Sequence, residues 1–85
     1  MKYDFISDPG HGWLKVKRSE LNILGIDQQI SSYSYQRGEW VYLEEDDDAA
    51  LFERAKKQRL QTVRYRERNA AHRPSRIRNY DPYRK

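Results

Sequence analysis

Beyond Val63 this chain holds one branched aliphatic side chain, Ile77, so the apolar material for a core lies almost entirely in its first sixty-odd residues. About sixty residues is close to the size at which a single hydrophobic core becomes marginal, and there is no cysteine to staple it. A thiolate metal centre is excluded for the same reason, and a deep active site built from many residues does not fit a core of this size. Stability has to come from packing.

Charge divides the chain at about the same place. Eleven of the thirteen carboxylates lie within residues 1–53, and twelve of the seventeen lysines and arginines lie within 54–85, so a modest net charge of +4 conceals two opposite fields. An acidic head with an arginine-rich extension is expected to bind a polyanion through the extension, because clustered cations raise the local potential well above thermal energy. No apolar run approaches the roughly 18 residues of a membrane span, and Met1 to Phe5 lack a signal peptide's apolar region. A protein without membrane contact, working in the cytoplasm, is expected.

Lys2 to Ser7 alternates, with Tyr3 and Phe5 on one side and Lys2, Asp4 and Ile6 on the other, as in a half-buried strand. Asp8-Pro9-Gly10-His11-Gly12 then forms a turn, and Trp13 to Lys17 returns as a second strand. Ser19 is expected to cap a helix of under two turns that Gly25 closes. Ile30 to Tyr35 reads as a strand, Gln36 to Glu39 as a turn, and Trp40 to Leu43 as the strongest strand in the chain. Asp46-Asp47-Asp48 stands at the start of a helix over 49–60, with Ala49, Phe52, Ala55 and Leu60 toward the sheet, running outward as far as Val63 or Tyr65.

The expected fold is therefore a small α+β domain over residues 1–60, in β-β-α-β-β-α order. Its antiparallel sheet is covered on one face by the C-terminal helix. Residues 61–85, rich in arginine and tyrosine, form a basic tail that is expected to be disordered, because it cannot bury enough surface to offset its ordering entropy.

The strings Phe5 to Leu14 (with its Asp-Pro-Gly-His-Gly-Trp-Leu), Tyr33-Ser34-Tyr35 and Val41 to Asp46, together with Arg73 to Arg78, resemble a group of small bacteriophage and prophage proteins. That resemblance implies a phage origin and the cytoplasm of an infected bacterium as the place of action. It carries no activity that transfers to this chain. Asp8 to Gly12 also resembles the zinc-binding opening of the N-acetylmuramoyl-L-alanine amidases, which would make His11 a metal ligand. This chain has Trp13 at the group's second glycine, and His72 is its only other histidine, whereas a catalytic zinc needs three protein ligands. The bland alternative is that His11 packs beside Trp13.

Among constellations that carry chemistry, six arginines stand out: Arg64, Arg66, Arg68, Arg73, Arg76 and Arg78, interleaved with Tyr65, Tyr80 and Tyr83. Guanidinium forks contact phosphate and stack on bases, giving salt-dependent binding that is largely indifferent to sequence. Trp13, Tyr33, Tyr35, Trp40 and Tyr42 could stack bases or grip a protein, or simply fill the core. The run Glu44 to Asp48 reads first as a helix cap, then as an acidic patch for a partner or an internal hold on the basic tail, and last as a site for Mg²⁺ or Ca²⁺, for which it lacks the alternating pattern of a calcium loop. No Ser/His/Asp or Cys/His arrangement can be assembled, and no cofactor motif is present. The chain is thus expected to be a non-catalytic binder of nucleic acid through its tail, needing no cofactor. The alternative is an inhibitor or adaptor of a host protein, using the aromatic sheet and the acidic run; an acidic host protein is the second expectation for the tail.

Overall fold

The computed structural model describes residues 2–69 and 75–85. The first hairpin forms as its alternation requires: β1 (Lys2–Ser7) and β2 (Gly12–Lys17) run antiparallel on either side of the Asp8 turn. Gly12 lies close beneath the Phe5 ring: a Cβ there would come within 2.6 Å of it, so a larger residue would force that ring to move. Helix α1 (Arg18–Leu24) follows directly. Ser19 lies inside it instead of capping it, because the chain turns at Lys17 and the Arg18 amide donates to the Glu39 carbonyl at 2.8 Å. Gly25 ends the helix in the left-handed region at φ 71°, with the Ile26 amide donating back to Leu21; both of these side chains are buried, which completes the capping motif.

The expected strand over 30–35 is mostly a turn. Ile30 buries itself after a short 3-10 segment (Asp27–Gln29), and only β3 (Tyr35–Arg37) pairs with β4 (Trp40–Glu44), through a turn in which Gly38 takes φ 59°. Serines decide this. Asp48 accepts hydrogen bonds from the Ser31 amide, the Ser31 hydroxyl and the Ser34 hydroxyl, which fold the segment against the start of α2 (Asp48–Gln58).

Helix α2 presents Ala49 and Phe52 to the sheet. It stops at Gln58, well short of Val63, and Leu60 points to solvent, 97% exposed. The stop is a capping motif without its glycine: Leu60 sits at φ 58°, while the Leu60 and Gln61 amides donate to the Lys57 and Lys56 carbonyls. A side chain held in the left-handed region costs about 1–2 kcal/mol, and Leu60 recovers little of it by packing. Leu60→Gly should stabilise the fold by about 0.5–1 kcal/mol, a rise of several degrees in Tm by thermal unfolding.

The largest departure from expectation lies after residue 60. The chain makes a fifth strand, β5 (Arg64–Asn69), parallel to β1, then a 3-10 turn (Arg76–Asn79) and a two-residue strand, β6 (Asp81–Pro82), paired with β3. The sheet is mixed, six-stranded, in the order β5-β1-β2-β4-β3-β6. The expected domain end at residue 60, and disorder across 61–85, do not hold for the described part of that segment; residues 70–74 lie outside it. Ile77 and Tyr83 are 3% and 5% exposed, so two side chains of the supposed tail are core. No helix among the described residues is long and apolar enough to cross a membrane.

Candidate functional site

Strand alternation sorts the side chains onto two faces. Tyr3, Leu14, Val16, Val41 and Leu43 meet α1 and α2 in the main core, with Phe52 at its centre. The opposite face carries Trp13, Tyr42 and Trp40, and it would lie bare if the C-terminal segment did not cross one end of it. Ile77 seals Trp13 and Tyr42, and the Tyr80 ring lies 5.1 Å from that of Tyr42. The segment then rounds the edge of the sheet, where the Tyr83 amide donates to Ser34 and its hydroxyl to the Asp27 carbonyl.

A single carboxylate fixes this crossing. Asp8, its side chain fully covered, accepts from Arg78 Nε and Nη2 at 2.6 and 2.8 Å, and also from the amides of Ser75, Gly10 and His11. The Arg78 fork, aided by those amides, holds the Asp8 carboxyl far below the usual carboxylate range despite the opposing effect of burial. A depressed value means that the contribution is present above the unfolded carboxyl's ordinary value, about 3.9, and is lost only as pH falls through the much lower folded value. Accordingly, the Tyr42–Tyr80 contact, followed by near-ultraviolet circular dichroism, should survive mild acid at pH 4 in the native chain. Asp8→Asn should weaken it already at neutral pH.

The rest of this face is cationic. In the β1–β5 register Lys2, Asp4 and Ile6 stand beside Arg64, Arg66 and Arg68, and across the sheet Lys15 pairs with Tyr42, Lys17 with Trp40, and Trp40 with Arg37. Cross-strand partners point to one side, so three arginines of β5 share a face with Lys2, Lys15, Lys17 and Arg37. The Lys15 and Lys17 ammonium groups lie 4.3 and 5.7 Å from the Trp40 ring centre. Arg66 and Arg68 reach Asp4 at 3.6 and 3.4 Å, yet both stay 56% exposed, and ion pairs this open hold little energy.

The six arginines singled out in sequence therefore separate. Arg64, Arg66 and Arg68 gather on the open face, Arg76 is exposed on the 3-10 turn, Arg78 is committed to Asp8 and to the face of Trp13, and Arg73 lies outside the described residues. The aromatics separate too. Trp13 and Tyr42 are core, Tyr35 and Trp40 are half-buried, and Tyr33 sits on the turn before β3, 80% exposed. Lys2, Lys15, Lys17 and Arg37 were not among the residues expected from sequence, although Lys15-Val16-Lys17 carried the signal: a cation on each side of a buried valine.

The acidic run caps α2. The Glu44 carboxylate accepts from the amides of Asp46, Asp47 and Asp48; burial alone would raise its proton affinity, but these amides pull it below the ordinary value. Asp48 is buried, and only Glu45, Asp46 and Asp47 face solvent. The basic segment is held by Asp8 and Asp4, not by this run. His11 is exposed, its ring 6.0 Å from that of Trp13, and no cluster of three metal-ligating side chains occurs among the described residues.

No protein-family model, no curated protein and no solved structure matches this chain.

Proposed function

We propose that the protein is a non-catalytic binder of single-stranded nucleic acid, acting in the cytoplasm of a phage-infected bacterium, with the open face of its sheet as the contact surface. The observation that carries this reading is the register of β5 on β1, which places Arg64, Arg66 and Arg68 on one face with Lys15, Lys17 and the half-buried Trp40. Guanidinium and ammonium groups neutralise a run of phosphates, while the indole offers a stacking surface to an unpaired base. A single strand laid across an open sheet face can follow its contours without the fixed groove geometry of a duplex, which favours unpaired chains.

For the reading of a host-protein adaptor, three of the expected contact residues, Trp13, Tyr42 and Asp48, are buried. An acidic partner for the same arginines is the outcome to be distinguished from nucleic acid. Fluorescence anisotropy with short single-stranded oligonucleotides is the test. With about four phosphates neutralised, affinity should fall roughly 50-fold between 50 and 200 mM salt. Affinity independent of salt would remove the proposal, and equal binding of polyglutamate would favour the acidic partner.

A further inference from the structure

The ladder between β1 and β2 covers three residue pairs, Phe5 with Leu14, Ile6 with Trp13 and Ser7 with Gly12. Lys2 to Asp4 and Lys15 to Lys17 run on past it, each still paired on its outer side, to β5 and to β4 respectively. The sheet thus divides at this end, and the division opens a cleft of about 560 Å³, within the range of sites for small organic ligands.

Its walls are of two kinds. Toward the helices Val16, Ile23, Leu24 and the Tyr3 ring make an apolar patch beside the polar Glu20, Lys56 and Arg59; toward the open face stand Lys2, Lys15, Lys17, Arg66 and the Trp40 indole. The carboxylates that line it are already engaged. Glu20 accepts from Lys56 Nζ at 2.5 Å and from the Tyr3 hydroxyl at 2.6 Å, and Asp4 faces Arg66 and Arg68. Lys56 is nearly covered, and although burial opposes its charge, Glu20 and Tyr3 raise its proton affinity above the ordinary value, so the ion pair holds at neutral pH. The field at the mouth is therefore set by the lysines and arginines of the rim.

From this juxtaposition of a flat aromatic, an apolar wall and clustered cations, we infer that the cleft is a mononucleotide site: it takes one base with its phosphate, either as a free nucleoside monophosphate or as one unit of a bound strand. Simple phosphate satisfies only the rim, and an uncharged aromatic only the wall. The inference deepens the function proposed above but has its own test.

The isotope-labelled full chain is titrated by NMR with a nucleoside monophosphate, with inorganic phosphate and with a short single-stranded oligonucleotide, in the native chain and in Lys17→Glu, an exposed position whose change leaves the core intact. The expected result is that the monophosphate binds at least about tenfold more tightly than phosphate, shifts the Trp40 indole and the amides of Lys2 to Asp4 and Lys15 to Lys17, and loses about tenfold in affinity in Lys17→Glu. Equal affinity for phosphate and monophosphate, or shifts confined to other residues, overturns it. If the oligonucleotide binds while the monophosphate does not, the cleft inference fails and the open-face reading stands. If the monophosphate binds and the oligonucleotide gains nothing over it, the cleft stands and the open-face reading fails.

Discussion

A chain ended after Leu60 should show no cooperative thermal unfolding. That truncation removes β5, so β1 loses a backbone partner along its whole length, from Lys2 to Ser7. It also removes Ile77 from above Trp13 and Tyr42, and Tyr83 from the main core. Side chains buried to this degree are each worth about 1.5–3 kcal/mol in removal from water, before counting the newly bared rings of Trp13 and Tyr42. Domains of this size are stable by only about 5–15 kcal/mol in total, so the sum of these losses is of the order of the whole. Circular dichroism on heating decides the matter. A transition within a few degrees of the full chain's would show that residues 61–85 are an appendage after all. Ile77→Ala, expected to cost about 2–5 kcal/mol, gives a graded version of the same measurement.

That expectation also marks where the sequence was legible. The first hairpin, the glycine-closed first helix and the Phe52 face of α2 all follow from side-chain pattern and appear as read, while the turn expected over Gln36 to Glu39 narrows to Gly38 and Glu39 because Gln36 and Arg37 pair in β3. β5 could not be read this way, because every residue from Arg64 to Asn69 is exposed. What holds it is backbone pairing to β1, with the Tyr65 ring 6.0 Å from that of Phe5 and its hydroxyl donating to Glu53. Hydrophobic periodicity detects burial, and an edge strand of this kind buries very little. Ile77 and Tyr83 stood out in the sequence but not as core: each lies in a polar, strongly charged stretch, and only the folded sheet supplies the surfaces they cover. On the site, arginine density drew attention to the C-terminal segment but not to the surface on which its side chains are displayed. The alternation Arg64, Arg66, Arg68 matters because it is a strand's alternation, and Lys15 and Lys17 join it from a strand read mainly for its core residues.

Because the C-terminal residues belong to the core, deletion cannot separate binding from folding, and neutralisation in place is the decisive experiment. The combined change Arg64→Thr, Arg66→Thr and Arg68→Thr keeps residues that suit an edge strand and leaves Tyr65 and Glu67 to hold the helical side. Only Asp4 loses opposite charge, through pairs too exposed to hold more than about 1 kcal/mol each. Thermal unfolding should therefore shift by only a few degrees. Binding should respond quite differently. Losing three phosphate contacts removes about two units from the slope of log K against log salt, and at 50 mM salt lowers affinity for a single strand by roughly a hundredfold or more. Arg78→Ala provides the contrast: it should lower stability by releasing the Asp8 latch, with little change in slope, since that guanidinium is occupied within the molecule. If the triple variant binds with the parent's affinity and slope, phosphate is not read by this face, whatever its charge.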